Sequence, residues 1–159
     1  MQIMVEDLSR PDVEVFLKEH LRHMVQVTPP GCVHALDLEA LKKPEITFWT
    51  IREAGQLLCC GALKKLTSTE VELKSMRTAP EVLGRGFASQ LLKHLILDAQ
   101  KDRYQRIYLE TGSYEAFEPA RKLYEKFGFI YCDPFADYQA SVNSVYMVLQ
   151  LSGVDFTDY

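Results

Sequence analysis

The sequence predicts a mixed α/β (α+β) fold, with a central sheet of about seven strands and about four helices around it. Strand-forming runs of β-branched, aromatic or alternating residues occupy positions 46–52, 57–66 and 70–78, with short turns between them. Apolar residues then recur at the helical period over residues 87–99, and a further strand pattern follows at 106–110. Because a helix joins the third strand to the fourth, these two strands can be parallel neighbours. We therefore expect a sheet that mixes antiparallel and parallel pairs.

A short strand and a long helix precede this sheet pattern. Residues 2–6 (QIMVE) favour the strand. Ser9 followed by Pro11 and Asp12 is typical of a helix start, with the serine as the cap and the proline in the first turn. Apolar residues at helical spacing continue to Val27, so we expect the first helix to end near that residue.

Breaks and turns separate the elements of the first half. The sequence TPPG at residues 28–31 ends the first helix, and we expect Asp37 to cap a short helix that ends before Pro44. Residues 53–56 (EAGQ) have the pattern of a hairpin turn between two strands. Gly61 lies inside the returning strand, where an isolated glycine indicates a bulge.

The second half adds a helix and two strands. Residues 119–127 (PARKLYEKF) predict a helix with proline in its first turn, and Gly128 is its expected C-terminal stop. Strands are expected at residues 129–132 and 144–151, with a loop at residues 133–143 between them.

Length and composition indicate one globular domain. The chain has 159 residues, of which 47% are hydrophobic and 25% are charged, and these fractions are ordinary for a globular protein. We expect a single domain over residues 1–151 and a disordered acidic tail at residues 152–159. The net charge of −4 argues against a general nucleic-acid binder, because such proteins usually carry a basic excess.

The sequence also predicts a cytoplasmic protein without a metal centre. No apolar run approaches the ~20 residues that span a bilayer, and the N-terminus has no signal-peptide pattern, so we expect no membrane segment. The four cysteines, Cys32, Cys59, Cys60 and Cys132, form neither a CxxC motif nor a zinc-ligand spacing. We interpret them as reduced thiols.

Residues 76–92 (MRTAPEVLGRGFASQLL) combine a strand end, a glycine turn and the first turns of a helix. The first N–H groups of a helix have no partner inside it, and the helix dipole favours negative charge there. Gly84 and Gly86 would let a ligand approach these groups closely, which makes the turn a candidate cradle for a phosphate. A plain junction between loop and helix is the alternative, because GxGxxG and the Gly-Lys-Ser/Thr ending of a P-loop are both absent.

Two motifs, in register with this order of elements, carry a family resemblance. The first is ELKSMRTAPEVLGRGFASQLL, in which a strand end precedes Gly86-Phe87-Ala88 and a helix, and the second is ARKLYEKFGF. Together they resemble the GNAT superfamily of N-acetyltransferases, and the likeness covers nearly all of residues 1–151. The segments PPGCVHAL and LETGSYEAF further resemble a bacterial subgroup of small GNAT proteins.

The resemblance implies acetyl-CoA as the acetyl donor. Its pyrophosphate would bind the backbone N–H groups from Leu83 to Ala88, and its pantetheine arm would pair with the backbone of residues 76–78. Two positions depart from the family pattern, because Leu83 replaces an Arg or Gln and Phe117 replaces an Asn. The cofactor-binding residues implied in this way are Met76, Arg77, Thr78, Leu83, Gly84, Arg85, Gly86, Phe87, Ala88, Ser89, Phe117, Arg121 and Tyr124.

The resemblance also implies residues for the chemistry. Tyr124, in the second motif, would be the general acid that protonates the departing thiolate, and core packing is the alternative for a tyrosine at this helical position. Glu72 is the candidate general base on the strand that would flank the thioester. Alternatively, Glu72 lies on a solvated strand face and pairs with Lys74. A water chain without a dedicated base is the other way in which the amine could lose its proton.

The acceptor side leaves more alternatives open. His34 and Glu70 are candidate acceptor-binding residues. Trp49, Phe135 and Tyr138 are candidates either for an aromatic wall of the acceptor pocket or for core packing. A small-molecule amine and a peptide amine both fit as acceptors, and the last strand offers an edge for a homodimer. The alternative function is an acyl-CoA-binding sensor or partner module with weak or no turnover.

Overall fold

The computed structural model describes residues 1–28 and 38–159. The helices and strands are β1 (Gln2–Val5), α1 (Pro11–Val27), α2 (Leu38–Leu41), β2 (Ile46–Glu53), β3 (Gln56–Lys65), β4 (Glu70–Thr78), α3 (Phe87–Lys101), β5 (Arg106–Gly112), α4 (Glu118–Lys126), β6 (Ile130–Cys132) and β7 (Ser144–Gln150). The strands are hydrogen-bonded in the order β1-β2-β3-β4-β5-β7-β6. Strands β4 and β5 are parallel, whereas β1–β2, β2–β3, β5–β7 and β6–β7 are antiparallel pairs. The predicted mixed α/β class is therefore confirmed.

The chain forms two compact units. Unit 1 contains Met1–Lys64 and Lys74–Leu92, and unit 2 contains Lys65–Leu73 and Lys93–Tyr159. Strand β4 and helix α3 each contribute residues to both units.

The hairpin between β2 and β3, in unit 1, has the predicted turn. Ala54 and Gly55 both have positive φ, as a two-residue hairpin turn of the I′ type requires. The bulge predicted at Gly61 is wrong, because Gly61 pairs regularly with Trp49. The irregularity lies between Ile51 and Arg52, whose partners are Cys59 and Leu57. A bulge needs one extra residue in a strand, whereas a glycine only weakens the strand. The presence of Gly61 therefore gave the wrong position for the bulge.

The start of α1 differs from the sequence prediction by one residue. The N-cap is Arg10, without a side-chain capping bond, so the prediction of a Ser9 cap is wrong. The Oδ1 atom of Asp7 accepts a hydrogen bond from the backbone N–H of Ser9 at 2.8 Å. This local turn engages Ser9 before the helix begins. The residue predicted to cap α2, Asp37, lies outside the described residues.

A buried ionic cluster joins β1, β2 and α1. Arg52 is 5% exposed, and its Nη2 atom lies 2.8 Å from Oε1 of Glu6, which is itself buried. The Nη1 atom of Arg52 donates to Oδ2 of Asp12 at 2.6 Å, and the Thr50 hydroxyl donates to Glu6. Charges this deeply buried are tolerated because they are paired and hydrogen-bonded.

We expect Asp12→Asn to lower the free energy of unfolding slightly at neutral pH and to have no such effect in acid. The hydrogen bond from Arg52 lowers the pKa of Asp12 from its ordinary 3.8. A carboxyl with a lowered pKa contributes stability above its ordinary pKa and loses it as the pH falls through the lowered value. Because Asp12 is half-exposed, the loss at pH 7 should be less than about 1 kcal/mol.

The measurement for Asp12 is urea unfolding at pH 7 and at pH 3. The exposed Asp102→Asn is the control for the loss of one negative charge. An equal loss at both pH values would contradict the assigned ion pair.

Unit 2 contains the predicted parallel pair. Residues Glu70–Leu73 of β4 pair in register with Arg106–Leu109 of β5. Helix α4 lies within one residue of its predicted bounds, and Gly128 follows it with a φ of 98° as the expected stop.

The C-terminal tail packs on unit 2, so the prediction that it is disordered is wrong. Phe156 is only 1% exposed. The ring of Tyr159 stacks on Phe127 with 5.5 Å between centroids, and Lys93 Nζ donates to the carbonyl oxygen of Thr157 at 2.6 Å. The burial of Phe156 and these contacts together offset part of the entropy cost of ordering the tail.

Candidate active site

A 3-10 turn at Pro80–Val82 and a glycine turn lead from β4 into α3, within unit 1. Gly84 has a φ of 78° and Gly86 a φ of 84°. Side chains of L-residues rarely adopt this left-handed region, so the backbone itself requires these two glycines. The N–H of Gln90 donates to the carbonyl oxygen of Gly86 at 3.0 Å, which fixes Gly86 as the residue before the helix.

The space in front of this turn is open. A Cβ atom at Gly84 would meet no heavy atom within 4 Å, and one at Gly86 would meet only Nε2 of Gln90 at 4.0 Å. The first N–H groups of α3 have no partner inside the helix, and its dipole favours an anion there. Leu83 is 66% exposed and adds no charge. The chain thus forms an open turn at residues 83–89, the segment predicted as a candidate phosphate cradle.

Two of the three arginines predicted to bind the cofactor, Arg77 and Arg85, lie in unit 1 and differ in their surroundings. The Arg85 guanidinium lies 5.2 Å from the Phe87 ring centroid and 3.9 Å from Oε2 of Glu53, at the edge of the cradle. The Arg77 guanidinium lies 5.5 Å from the Phe16 ring centroid, on the side of α1. The Arg85 guanidinium thus lies beside the glycine turn, whereas the Arg77 guanidinium packs on a ring of α1.

His20 of α1 is a half-buried imidazole to which the sequence assigned no role. Burial is the main cause that lowers the pKa of His20 to about 4, and Arg77 and His23 add to the effect. The imidazole is therefore neutral at pH 7. Within residues 1–28 and 38–159, its Nδ1 atom has no hydrogen-bond partner.

Strand β4 is irregular where the pantetheine arm is predicted to pair. Ser75 has a φ of 56°, an uncommon conformation for a non-glycine residue. The Cys60 thiol donates to the Ser75 carbonyl oxygen at 3.2 Å, and the Cys59 Sγ lies 3.6 Å from the Thr78 hydroxyl. Burial raises the pKa of Cys59 to about 11, so this thiol stays protonated at neutral pH. Nothing in the sequence signals the conformation of Ser75, because serine has no preference for positive φ.

Glu72, in unit 2, is buried, with 2% of its surface exposed. The Tyr138 hydroxyl donates a hydrogen bond to its Oε2 atom at 2.6 Å. The alternative of a solvated strand face is therefore wrong. Burial, followed by the Glu72 charge, raises the pKa of Tyr138 far above that of an ordinary phenol.

An aromatic cluster surrounds this pair. The Phe135 ring centroid lies 4.9 Å from that of Tyr108, 5.0 Å from that of Tyr138 and 6.0 Å from that of Tyr146. Two of the three residues predicted to form an aromatic wall, Phe135 and Tyr138, are thus in contact. The third, Trp49, is a buried core residue of unit 1.

Glu70 accepts hydrogen bonds from two residues of β5 in unit 2. Its Oε2 atom accepts a hydrogen bond from Arg106 Nη1 at 3.1 Å and another from the Tyr108 hydroxyl at 3.2 Å. His34, the other predicted acceptor-binding residue, lies outside the described residues.

Tyr124 is a buried residue of α4. Its ring packs edge-on against Phe129 at 5.6 Å, and its carbonyl oxygen accepts the Phe129 N–H at 3.1 Å. Tyr124 thus packs against the residues that follow α4.

Two further predicted residues of unit 2 have structural contacts. Arg121 Nη1 donates to the carbonyl oxygens of Gly112 and Tyr114 at 2.7 and 2.8 Å, so it holds the turn between β5 and α4. A Cβ at Gly112 would lie 2.3 Å from the Phe117 ring, which therefore packs directly on this glycine. Phe117 thus makes an apolar contact with the end of β5.

Over the described residues, no helix is long and apolar enough to cross a bilayer. The same part of the chain has no cluster of three or more histidine, cysteine or acidic side chains that could ligate a metal ion.

Comparison with known proteins agrees with the order of elements and with the glycine turn. The profile described as "Acetyltransferase (GNAT) family" matches residues 5–129. The chain belongs to the GNAT family of acetyltransferases. This membership confirms the predicted GNAT-like fold.

Relatives cover almost the whole chain. It is 51% identical over 151 residues to the uncharacterized N-acetyltransferase YsnE of Bacillus subtilis (strain 168), a match that covers 95% of this chain and 100% of that protein. It is 44% identical to the uncharacterized N-acetyltransferase YedL of Escherichia coli (strain K12), over 94% of each chain. The crystal structure of an aminoglycoside 6'-N-acetyltransferase complexed with coenzyme A has the same fold, with a TM-score of 0.72, 14% identity and coverage of 98% and 99%. The prediction of an N-acetyltransferase enzyme is thereby confirmed.

Proposed function

We propose that this GNAT protein transfers the acetyl group of acetyl-CoA to a primary amine. The observation that carries the proposal is the open turn at Gly84–Gly86, which presents the first N–H groups of α3 to an anion. The cradle consists of backbone groups, so the absence of an Arg or Gln at Leu83 does not remove it. The coenzyme A complex of the structural neighbour supports the choice of donor.

The donor would occupy unit 1 along two segments. The pyrophosphate would accept hydrogen bonds from backbone N–H groups of Leu83–Ser89, and the exposed Arg85 side chain would add positive charge. The pantetheine amides would pair with the irregular end of β4 at Met76–Thr78, in the manner of an added strand.

The chemistry would be a direct attack on the thioester. The neutral amine attacks the carbonyl carbon, and a backbone N–H of residues 76–78 stabilises the oxyanion. The C–S bond then breaks, and the Tyr124 phenol gives its proton to the departing thiolate. The Glu72 carboxylate takes the proton that the amine loses, directly or through water.

The acceptor would be a small-molecule or peptide amine. The buried Glu72 carboxylate favours a cationic ammonium group, which becomes neutral when it gives up its proton. Loop 133–143 brings Phe135 and Tyr138 to this carboxylate, and would therefore contribute to the choice of amine.

A second candidate function is a CoA-binding sensor with little turnover. One observation favours it: Phe117 packs on Gly112 where the family pattern has an Asn, so one polar contact to the pantetheine arm is lost. The buried acid Glu72 and the retained Tyr124 support the enzyme instead.

The first experiment is calorimetric titration with acetyl-CoA, with ATP and NAD as controls. We expect a Kd in the micromolar range, about −8 kcal/mol, for acetyl-CoA alone. Release of free thiol would then be measured with a panel of amines: a lysine-containing peptide, a peptide with a free N-terminus and a small polyamine. Binding without thiol release would favour the sensor, and no binding would reject both functions.

A further inference from the structure

We propose that Tyr138 is a positioning residue for Glu72, an inference that rests on the proposed role of Glu72 as general base. Tyr138 would orient the carboxylate for the incoming amine and link it to loop 133–143. The side chain of Tyr138 would act through Glu72 and need not touch the amine.

The contact between the two residues is direct and buried. The Tyr138 hydroxyl donates to Oε2 of Glu72 at 2.6 Å, and Glu72 is 2% exposed. Hydrogen bonds to an ionised carboxylate are short and stronger than neutral ones, so this bond restricts the orientation of the Glu72 carboxylate. A general base must be held within hydrogen-bond reach of its proton, so its orientation affects the rate directly.

The phenol of Tyr138 is suited to a permanent donor role. Burial raises the pKa of Tyr138, and the neighbouring groups of Glu72, Glu110 of β5 and Tyr146 of β7 raise it further. All of these factors keep the hydroxyl protonated across the working pH range. The bond to Glu72 therefore persists while Glu72 itself exchanges protons.

The loop that carries Tyr138 is held independently of Glu72. The Tyr146 hydroxyl donates to the carbonyl oxygen of Gln139 at 2.8 Å, and Ser113 Oγ donates to that of Val142 at 2.6 Å. Loss of the Tyr138 hydroxyl should therefore leave the loop in place. Tyr146→Phe, in β7, is the control for loosening of the loop, because it removes one hydroxyl from the same aromatic cluster and one of these two loop contacts while the Ser113 contact remains.

The experiment compares Tyr138→Phe, Tyr146→Phe, Glu72→Gln and the double variant Tyr138→Phe/Glu72→Gln. Acetylation of the fastest amine of the panel above gives kcat and KM, calorimetry gives the Kd of acetyl-CoA, and thermal unfolding gives Tm. We expect Tyr138→Phe to lower kcat about tenfold with the Kd of acetyl-CoA unchanged. Tyr146→Phe should change kcat less than about twofold, and Tyr138→Phe should have no further effect in the Glu72→Gln background.

The outcomes separate the inference from the function on which it rests. If Glu72→Gln has the wild-type kcat, the base role fails and the role of Tyr138 fails with it. If Glu72→Gln is slow but Tyr138→Phe is normal, only the positioning role is overturned. Equal losses for Tyr138→Phe and Tyr146→Phe, or additive losses in the double variant, would show that Tyr138 acts only as a structural anchor.

Discussion

We expect Tyr124→Phe to lower kcat by about 10²–10³-fold while the affinity for acetyl-CoA stays unchanged. The change removes one oxygen atom, so it removes the proposed proton donor and preserves the ring that packs on Phe129. Without the phenol, the departing thiolate must take its proton from water. The measurement is thiol release with the fastest amine of the panel, together with calorimetric titration of acetyl-CoA.

The matched control for Tyr124 is Tyr131→Phe. Tyr131 is 53% exposed, and its hydroxyl donates to Oε1 of Glu125 at 2.7 Å, so it has a partner on α4 but no proposed role in the chemistry. Its variant should keep the wild-type kcat. A fully active Tyr124→Phe would remove the general acid from the mechanism. A variant that also lost acetyl-CoA affinity would indicate a binding role for the hydroxyl instead.

The parts of the fold that depend on local backbone requirements were predictable from the sequence. Gly55, Gly84, Gly86 and Gly128 all have positive φ, and glycine marks such positions because it lacks a Cβ. Helix α3 was equally predictable, since its buried residues recur at the helical period. The cradle therefore follows from the sequence together with the principle that helix N-termini favour anions.

The environment of Glu72 was not predictable in the same way. Its partner Tyr138 lies 66 residues further along the chain, on a loop without a regular pattern. Alternation alone placed Glu72 on a polar strand face, and the burial that makes it a plausible base arises only when loop 133–143 packs over the strand. The pair of Glu6 and Arg52 is a similar case, because 46 residues separate its members. The left-handed backbone of Ser75 is harder still to predict, because serine does not favour positive φ.

We expect Gly84→Ala/Gly86→Ala to raise the Kd of acetyl-CoA by about 30–100-fold, or about 2–3 kcal/mol. An alanine that keeps the left-handed backbone places a methyl group in the open space through which a phosphate would approach. An alanine that relaxes to negative φ moves the N–H groups that the phosphate needs. Both responses weaken binding, so the Kd of acetyl-CoA should rise whichever of the two the turn adopts. The measurement is calorimetric titration with acetyl-CoA at fixed ionic strength.

The chain offers a matched control for this pair in Gly55→Ala/Gly153→Ala. These glycines also have positive φ, 80° and 75°, and a Cβ at either would meet nothing within 4 Å. Each double variant should lose a similar stability, about 1–2 kcal/mol per left-handed alanine, in urea unfolding. Only the Gly84/Gly86 variant should lose acetyl-CoA affinity, because only that turn precedes the N-terminus of α3. A wild-type affinity in the Gly84/Gly86 variant would mean that the phosphate does not bind at this turn, whereas an equal loss of affinity in both variants would attribute the effect to stability alone.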